Sequence, residues 1–256
     1  AYWSVAWVTV AMLFGGGLWL YLQQTAGVAL ANQKAMEYFA GYLLEKSLAI
    51  DNVFVWLMIF AAFAIPPMLQ RKILLYGVLG AIVLRTIFIF IGAWFVQEFS
   101  WVLYIFGAFL VYTGFKFLKG QDEDTNIEDN ALLKWLRKHM RITPQLHDNQ
   151  FFVRQNGLLW ATPLFLVLIL VEASDVIFAV DSIPAIFAVT SDPFIVLTAN
   201  LMAILGLRAM FFLLAGAATK LHYLPYGLGI ILLFIGAKML LLDVFHMPIW
   251  ISLGFI

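Results

Sequence analysis

A duplicated arrangement of charged residues inside long apolar segments is the feature that most constrains how this chain folds. Residues 45–52 and 175–182 each contain an acid, then Leu or Phe, Ala, a β-branched residue, Asp and a small polar residue at identical spacing. Downstream, both copies continue with a Leu-Arg pair, at Arg85 and Arg208, and then with a Gly-x-Lys sequence. The pattern indicates a duplicated unit of three apolar segments, each carrying its charged residues in the same order.

Composition places these segments in a membrane. Hydrophobic residues make up 64% and charged residues 12% of the 256 residues, with a mean hydropathy of +0.94. Soluble domains contain about 45–50% apolar residues, so this composition indicates a polytopic α-helical membrane protein. An ionisable side chain at bilayer depth is costly and indicates a functional site. The lack of cysteine excludes thiolate metal sites and thiol redox chemistry, and nothing in the charge balance points to a nucleic-acid partner.

The apolar runs predict seven spans, at 2–22, 37–63, 73–96, 101–118, 157–189, 194–218 and 224–243. Lys and Arg gather in the loops at 64–72, 119–156 and 219–223, which the positive-inside rule assigns to the cytoplasm, with Lys34 as the one exception. Three spans per repeat is an odd number, so the second copy must cross the membrane in the opposite direction. The predicted fold is an all-α transmembrane helical bundle of two inverted three-helix repeats plus flanking helices, a recurring transporter design.

This pattern divides the chain into five segments. They are an N-terminal transmembrane helix with its outer loop (1–36), the first repeat (37–118), a cytoplasmic polar insertion (119–156), the second repeat (157–243) and the start of a truncated last span (244–256). Because the chain begins with Ala1 and ends inside an apolar run, we expect a fragment. Residues 131–141 of the insertion alternate apolar and basic positions, which predicts a short amphipathic surface helix. A regulatory or metal-sensing use of the insertion's acids is the alternative.

Glu45 and Asp51 are six residues apart, as are Asp175 and Asp181. This spacing separates the two acids of each pair by about 120° around a regular helix. We therefore expect both acid-bearing helices to bend or unwind so that the acids converge. Pro184 provides a reason in the second copy, because proline cannot donate to the carbonyl of Val180 and clashes with the preceding turn. The first copy has no matching proline. Irregular backbone at this depth lines a cavity, where its carbonyls become available as ligands.

The polar residues of the two copies predict a cation site with oxygen ligands only. Such ligands suit hard divalent cations, Mn²⁺, Mg²⁺ or Ca²⁺, better than Zn²⁺ or copper. Arg85 and Arg208 are expected to offset part of the acidic charge, and protons can occupy the acids when the cation leaves. In the alternative interpretation, the acids and arginines are buried ion pairs that hold the bundle together. The predicted metal ligands are Glu45, Asp51, Asn52, Glu172, Asp175, Asp181 and Ser182.

The segments 45–54 and 171–185 closely resemble the signature segments of the TerC family, and nearly the whole chain resembles its Alx-like branch. The resemblance implies bacterial inner-membrane proteins linked to manganese efflux and homeostasis, to tellurite resistance and to the response to alkaline pH. It also implies membership of the LysE-type exporter superfamily. From the resemblance to that family, we expect the chain to lack an N-terminal span, which carries an acidic residue in relatives, together with the end of the last span.

From these observations we predict a secondary transporter in the bacterial inner membrane that exports Mn²⁺, with the lipid bilayer, the divalent cation and protons as its partners and residues 119–156 in the cytoplasm. Mg²⁺ and Ca²⁺ remain open as substrates, and the sequence gives no indication of oligomeric state. No nucleotide-binding or nucleophile motif is present, so we expect neither an enzyme nor a permanently bound cofactor. The alternative is a membrane-embedded assembly, redox-modulating or tellurite-resistance factor without transport of its own.

Overall fold

The computed structural model describes residues 2–119, 131–215, 224–241, 243, 251 and 254–255. Within them lie helices α1 (Tyr2–Thr25), α2 (Val28–Ala62), α3 (Pro67–Glu98), α4 (Val102–Leu118), α5 (Ala131–His139), α6 (Pro163–Phe187), α7 (Pro193–Leu205), α8 (Leu207–Leu214) and α9 (Leu224–Leu240), and strands β1 (Phe152–Gln155) and β2 (Leu158–Ala161). The predicted all-α membrane bundle is confirmed. The acids of the polar insertion at 122–129 and most of the predicted segment 244–256 lie outside the described residues.

Several helices are long and apolar enough to cross a bilayer. By length and composition α1, α3 and α6 qualify among the described residues, and the pair α7 and α8, bent by 40°, is a fourth candidate. α4 and α9 are shorter apolar helices of 17 residues each. α2 is 35 residues long and carries the acidic motif of the first copy. The predicted span 194–218 is therefore not one straight helix, because it breaks at Gly206.

The prediction that a span begins at 157 is wrong. Residues 158–161 form β2, which pairs antiparallel with β1 in a short hairpin. The turn consists of Asn156 and Gly157, whose φ angles of 52° and 77° are both positive, as a two-residue hairpin turn requires. An Asn-Gly pair between apolar residues is itself a hairpin signal. The helix starts only at Pro163, whose fixed φ and missing N–H suit the first helical position.

The helix predicted inside the polar insertion is present as α5. Its side chains Leu133 and Leu136 are only 1% and 3% exposed, and they pack in one core cluster with Leu164 and Leu166 of α6. Arg137, Lys138 and His139 lie in the last turn of α5, and Lys134 lies one turn earlier. The apolar face of α5 thus packs against the end of the bundle.

Helix α2 is the central element of the bundle. Its residues contribute to each of three buried apolar clusters: one with α5 and the first half of α6, one with α1 and α7, and one with α4 and α9. Helix α3 packs against α6 through small residues, since a Cβ on Gly77 would lie 3.0 Å from Val171 and one on Gly92 would lie 2.9 Å from Phe187. These contacts hold α6 between α2 and α3.

Helices α4 and α9 pack on each other through four glycines. A Cβ on Gly114 would lie 2.8 Å from the carbonyl oxygen of Gly229, and a Cβ on Gly236 would lie 2.8 Å from that of Gly107. Such close backbone approach between membrane helices needs small residues at the contact. Gly114 and Gly236 occupy equivalent positions of the duplicated Gly-x-Lys sequence. The contacts are therefore reciprocal, as expected for two equivalent helices packed antiparallel.

Candidate cation site between the repeated helices

Arg85 of α3 occupies the centre of the acidic cluster. Its Nη2 donates to Oδ1 of Asp175 at 2.8 Å and its Nε donates to Oδ2 at 3.1 Å, which makes a two-pronged contact. Its Nη1 donates to Oε2 of Glu45 at 3.0 Å. The three side chains are at most 2% exposed. A buried carboxylate is tolerated when it is paired with a positive charge and hydrogen-bonded. Arg85 provides the charge and the hydrogen bonds for Glu45 of the first copy and Asp175 of the second.

Helices α2 and α6 meet at their acidic motifs in an antiparallel arrangement. Asn52 of α2 donates to Asp175 of α6 at 3.3 Å. At the other end of the contact, Ser182 accepts a hydrogen bond from Arg85 at 3.5 Å and lies next to Glu45. The first residue of each motif thus faces the last residue of the other. This reciprocity brings the two copies together around a shared centre.

The second acids of the two copies line one small cavity. Asp51 and Asp181 interact electrostatically and are both partly buried. Within the described residues, neither of them forms an ion pair within 4 Å, although Lys116 of α4 attracts Asp181 electrostatically from a greater distance. The space open to the centre of a water-sized sphere is about 10 Å³, close to the minimum for one water molecule. The lining residues are Glu45, Leu48, Ala49, Asp51, Asn52, Arg85, Phe117, Phe178, Asp181, Ser182, Leu228 and Leu232.

The expected unwinding of the acid-bearing helices is wrong. α2 and α6 are both continuous through their motifs, and Pro184 lies inside α6 without ending it. Convergence instead comes from the antiparallel contact between the two helices. The two acids of each motif point in different directions from their helix. Each of them meets one acid of the other helix. Glu45 and Asp175 meet at Arg85, whereas Asp51 and Asp181 meet at the cavity.

The structure does not bring Glu172 into the cavity. This side chain is partly buried against α3, where a Cβ on Gly80 would collide with its carboxylate. Its Oε2 is buried and has no hydrogen-bond partner among the described residues. Glu172 interacts electrostatically with Asp175, three residues further along α6. It therefore lies beside the cluster, on the side of Asp175 that faces α3.

Arg208 does not join the cluster either, although it matches Arg85 in sequence. Its side chain is exposed, and it lies in α8, beyond the break at Gly206. Lys46 reaches this break instead, where its Nζ donates to the carbonyl oxygen of Ala203 at 3.4 Å. Because the chain changes direction at the break, the position equivalent to Arg85 no longer points to the centre. The expected charge-tuning role therefore has a structural basis for Arg85 alone.

Sequence reasoning missed two polar residues at the site. Thr113 of α4 is 7% exposed and donates from Oγ1 to Oδ1 of Asp181 at 3.1 Å. Asn200 of α7 is fully buried next to Glu45, yet neither its amide oxygen nor its amide nitrogen has a hydrogen-bond partner within the described residues. Both lie in apolar stretches. The signal that could have identified Thr113 and Asn200 is a polar residue inside a predicted apolar span.

The donor set of the cluster is oxygen-rich and carries excess negative charge. The cluster contains four carboxylates, from Glu45, Asp51, Asp175 and Asp181, against the guanidinium of Arg85, which pairs with Glu45 and Asp175, and the more distant ammonium of Lys116, which attracts Asp181. The remaining cavity oxygens and amides come from Asn52 and Ser182. In the part of the chain that the structure describes, no group of three or more Asp, Glu, His or Cys side chains is arranged tightly enough to hold a metal ion. Binding a dication there requires the two carboxylates of the cavity to close around it.

Comparison with known proteins gives consistent results. The model of the integral membrane protein TerC family matches residues 30–256. A Photorhabdus laumondii protein named "Putative membrane-bound redox modulator Alx" is 63% identical over 254 residues, covering 99% of this chain and 79% of that protein. The Escherichia coli K12 protein of the same name is 61% identical with the same coverage. "Uncharacterized membrane protein STKORF319" of Myxococcus xanthus is 46% identical over 254 residues, covering 99% of this chain and 77% of that protein.

No solved structure matches the chain significantly. The similarity to the three relatives runs along nearly all of the chain, so it includes both copies of the acidic motif and the helices that carry them.

Proposed function

We propose, from the premise that this chain belongs to the TerC family of integral membrane proteins, that it is a secondary transporter exporting Mn²⁺ from the bacterial cytoplasm. The observation that carries the proposal is the cavity between α2 and α6. There Asp51 and Asp181 face each other without an ion pair among the described residues, while Arg85 is already paired with Glu45 and Asp175. Two facing carboxylates in a low-dielectric site repel each other and favour a bound cation.

The ligand chemistry supports a hard dication. Every polar group of the cavity offers oxygen, apart from the Asn52 amide nitrogen and the Arg85 guanidinium. Carboxylate and carbonyl oxygens suit Mg²⁺, Ca²⁺ and Mn²⁺, whereas copper and zinc favour sulfur and imidazole. The 256 residues contain no cysteine. We infer Mn²⁺ rather than Mg²⁺ or Ca²⁺ from the manganese role that the family resemblance implies.

The arrangement of the helices supports transport across the bilayer. The cavity lies where equivalent helices of the two copies meet, which is where transporters built from inverted repeats hold their substrate. Small movements between the copies would expose the cavity to either side in turn. Protons would occupy Asp51 and Asp181 after the cation leaves, because two bare carboxylates at this depth are costly. We place the protein in the inner membrane with α5 and the β1–β2 hairpin on the cytoplasmic side.

The test is cation flux in proteoliposomes that contain only this protein. We expect Mn²⁺ flux from the wild-type chain, and a loss of more than about tenfold, roughly 1.4 kcal/mol, in Asp51→Asn and in Asp181→Asn. Each change keeps the size of the side chain and removes its charge, so the protein should still insert and fold. Asp148→Asn, in an exposed loop, is the matched control and should transport normally.

A second candidate function follows from the relatives' name, which describes a membrane-bound redox modulator. In that case the acids would bind a partner protein or stabilise the bundle. Purified wild-type protein would then move no divalent cation, although cells lacking it would still show a redox phenotype. Flux of Mn²⁺ by the protein alone would exclude this candidate as the sole function. Absence of flux for Mn²⁺, Mg²⁺ and Ca²⁺ would overturn the transporter proposal.

A further inference from the structure

Helix α4 reaches the cavity from outside the pair of acid-bearing helices. Thr113 is buried and its Oγ1 lies 3.1 Å from Oδ1 of Asp181, to which it donates a hydrogen bond. Its neighbours in the next turn include Phe117, which lines the cavity. Gly114 packs closely against the backbone of α9 at Gly229, so Thr113 is part of the paired helices α4 and α9. Its hydroxyl lies beside one of the two cavity carboxylates.

The second copy has no hydroxyl at the matching position. The Gly-x-Lys sequences align Gly114 with Gly236, so Thr113 aligns with Ile235. Ile235 is 2% exposed and packs in the apolar cluster of α4 and α9. The two halves of the cavity are therefore chemically different: Asp181 has a neighbouring hydroxyl donated by α4, and the matching position on α9 is apolar.

The distance between the two oxygens fits a shared cation. Oxygens that bind one ion at right angles, at the ~2.1–2.4 Å typical of Mg²⁺ and Ca²⁺, lie roughly 3.0–3.4 Å apart. The separation between Thr113 Oγ1 and Asp181 Oδ1 is 3.1 Å. An independent sign of a ligand is Oε1 of Glu45. This atom is buried and forms no hydrogen bond of standard geometry among the described residues, although the Asn200 side chain lies close enough to interact with Glu45, and Glu45 is one of the residues that line the cavity.

We propose that the hydroxyl of Thr113 is a ligand of the transported cation, in the half of the site built by Asp181. The inference rests on the proposed function and adds a residue to it. Without the cation, the hydroxyl donates its hydrogen to Asp181. When the cation binds, the hydroxyl turns and presents a lone pair, since it carries one donor and two acceptor positions. A neutral oxygen at this point raises the number of ligands without adding charge.

A cysteine substitution tests direct ligation. The chain contains no cysteine, so Thr113→Cys introduces a single thiol in place of the hydroxyl. Thiolates favour softer metals over Mn²⁺. We expect the ratio of Cd²⁺ to Mn²⁺ flux in proteoliposomes to rise at least about tenfold in Thr113→Cys. The matched control is Thr86→Cys on α3, because the Thr86 hydroxyl donates only to its own helix, at the Ile82 carbonyl. The control should keep the wild-type ratio.

A second pair of variants covers the case in which the cysteine variant is poorly folded. Thr113→Val keeps the shape and removes the oxygen, and Thr113→Ser keeps the oxygen. If the hydroxyl ligates the cation, Thr113→Val raises the KM for Mn²⁺ at least about tenfold with a nearly unchanged maximal rate, and Thr113→Ser restores the KM. A residue that only packs would lower the amount of folded protein without this pattern.

The outcomes separate the two proposals. Wild-type flux together with an unchanged metal ratio in Thr113→Cys, or an unchanged KM in Thr113→Val, would overturn the role of Thr113 and leave the transporter standing. No wild-type flux of any divalent cation would overturn the transporter, and the role of Thr113 with it. A ratio that shifts equally in Thr86→Cys would show that any introduced thiol binds Cd²⁺ and would also overturn direct ligation.

Discussion

At the scale of single residues, the cluster contains two kinds of carboxylate. Glu45 and Asp175 are bound to Arg85 and are almost completely buried. Asp51 and Asp181 are only partly buried and face the cavity. The first pair fits the alternative in which buried ion pairs hold the bundle together, and the second pair fits a cation site. Both interpretations of the duplicated acids therefore apply, to different residues.

Arg85 should be essential for folding. Arg85→Met leaves the buried carboxylates of Glu45 and Asp175 unpaired, which should cost roughly 3–5 kcal/mol of stability. Thermal unfolding in detergent, together with the amount of folded protein in membranes, measures the loss. Neutralising both partners as well, with Glu45→Gln and Asp175→Asn, should recover most of it.

The matched control for Arg85 is Arg208→Met. Arg208 occupies the equivalent position of the second copy but is exposed, so its replacement should change the unfolding temperature little. Equal losses in the two variants would contradict the structural role that the geometry gives to Arg85.

At the scale of elements, the paired helices α4 and α9 form a unit of their own. Their glycines allow backbone contact along both helices, and Phe117, Leu228 and Leu232 of this pair cover the cavity. Within the described residues, α4 and α6 are linked by the hydrogen bond from Thr113 to Asp181 and by the electrostatic attraction between Lys116 and Asp181. The pair is thus connected to the acidic helices mostly by apolar contacts, which can slide.

Filling the glycine contact should separate the two helices. In Gly114→Ala the new methyl group would lie 2.8 Å from the Gly229 carbonyl oxygen and from Leu233. Overpacking of this kind typically costs about 1–3 kcal/mol, so the unfolding temperature in detergent should fall. Gly227→Ala on α9 is the control, since no atom lies within 4 Å of a Cβ there. A control as unstable as Gly114→Ala would indicate a general intolerance of alanine and contradict the contact.

At the scale of the whole molecule, polar contacts connect the two copies at one end of the bundle. Lys34, at the start of α2 and before the predicted span 37–63, forms ion pairs with Asp192 at 2.8 Å and with Glu37 at 3.0 Å. Thr190 donates to Glu37 at 2.6 Å. These contacts tie the start of α2 to the connection between α6 and α7. At the opposite end, α5 packs against the start of α6.

The ion pair should make stability depend on pH only at the extremes. Burial raises the pKa of Asp192, but its hydrogen bonds and the charge of Lys34 outweigh this and hold the pKa below 3.8. Burial lowers the pKa of Lys34, but its bonds to Asp192 and Glu37 outweigh this and raise the pKa above 10.5. The stabilisation is therefore complete between these two values. It is lost as pH falls through the folded-state pKa of Asp192 or rises through that of Lys34.

Asp192→Asn tests this dependence. Asn still caps α7, where Asp192 accepts from the backbone N–H of Phe194, so the change isolates the charge. We expect a small loss of stability at pH 7, at most about 1 kcal/mol because the pair is partly solvated. The difference from wild type in unfolding temperature should vanish as the pH falls below the folded-state pKa of Asp192. A difference that persists there would show that the cap or the packing, not the ion pair, is responsible. Asp148→Asn serves as the exposed control.

The sequence by itself determined that the helices lie in a membrane and which charged residues could form the site. Charged residues are rare in apolar segments, so the duplicated acids stand out. The identical spacing of the two copies makes Glu45 equivalent to Asp175 and Asp51 equivalent to Asp181. Apolar run lengths located most helix ends within a few residues, but α2 begins at Val28 instead of the predicted 37, and α3 begins at Pro67 instead of the predicted 73. They failed at 157–162, where the Asn156-Gly157 turn makes a hairpin. The inversion of the full three-helix units stays a prediction that the reciprocal helix contacts support.

Only the tertiary structure decided which residues meet. The antiparallel crossing of α2 and α6 selects the acids that Arg85 neutralises and those that remain for a cation, because residues on different faces of a helix reach different neighbours. The break at Gly206 removes Arg208 from the centre, and the glycine contact of α4 with α9 brings in Thr113. These outcomes depend on crossing geometry and backbone approach between distant helices. A repeat in sequence specifies equivalent positions, but it does not specify equivalent surroundings.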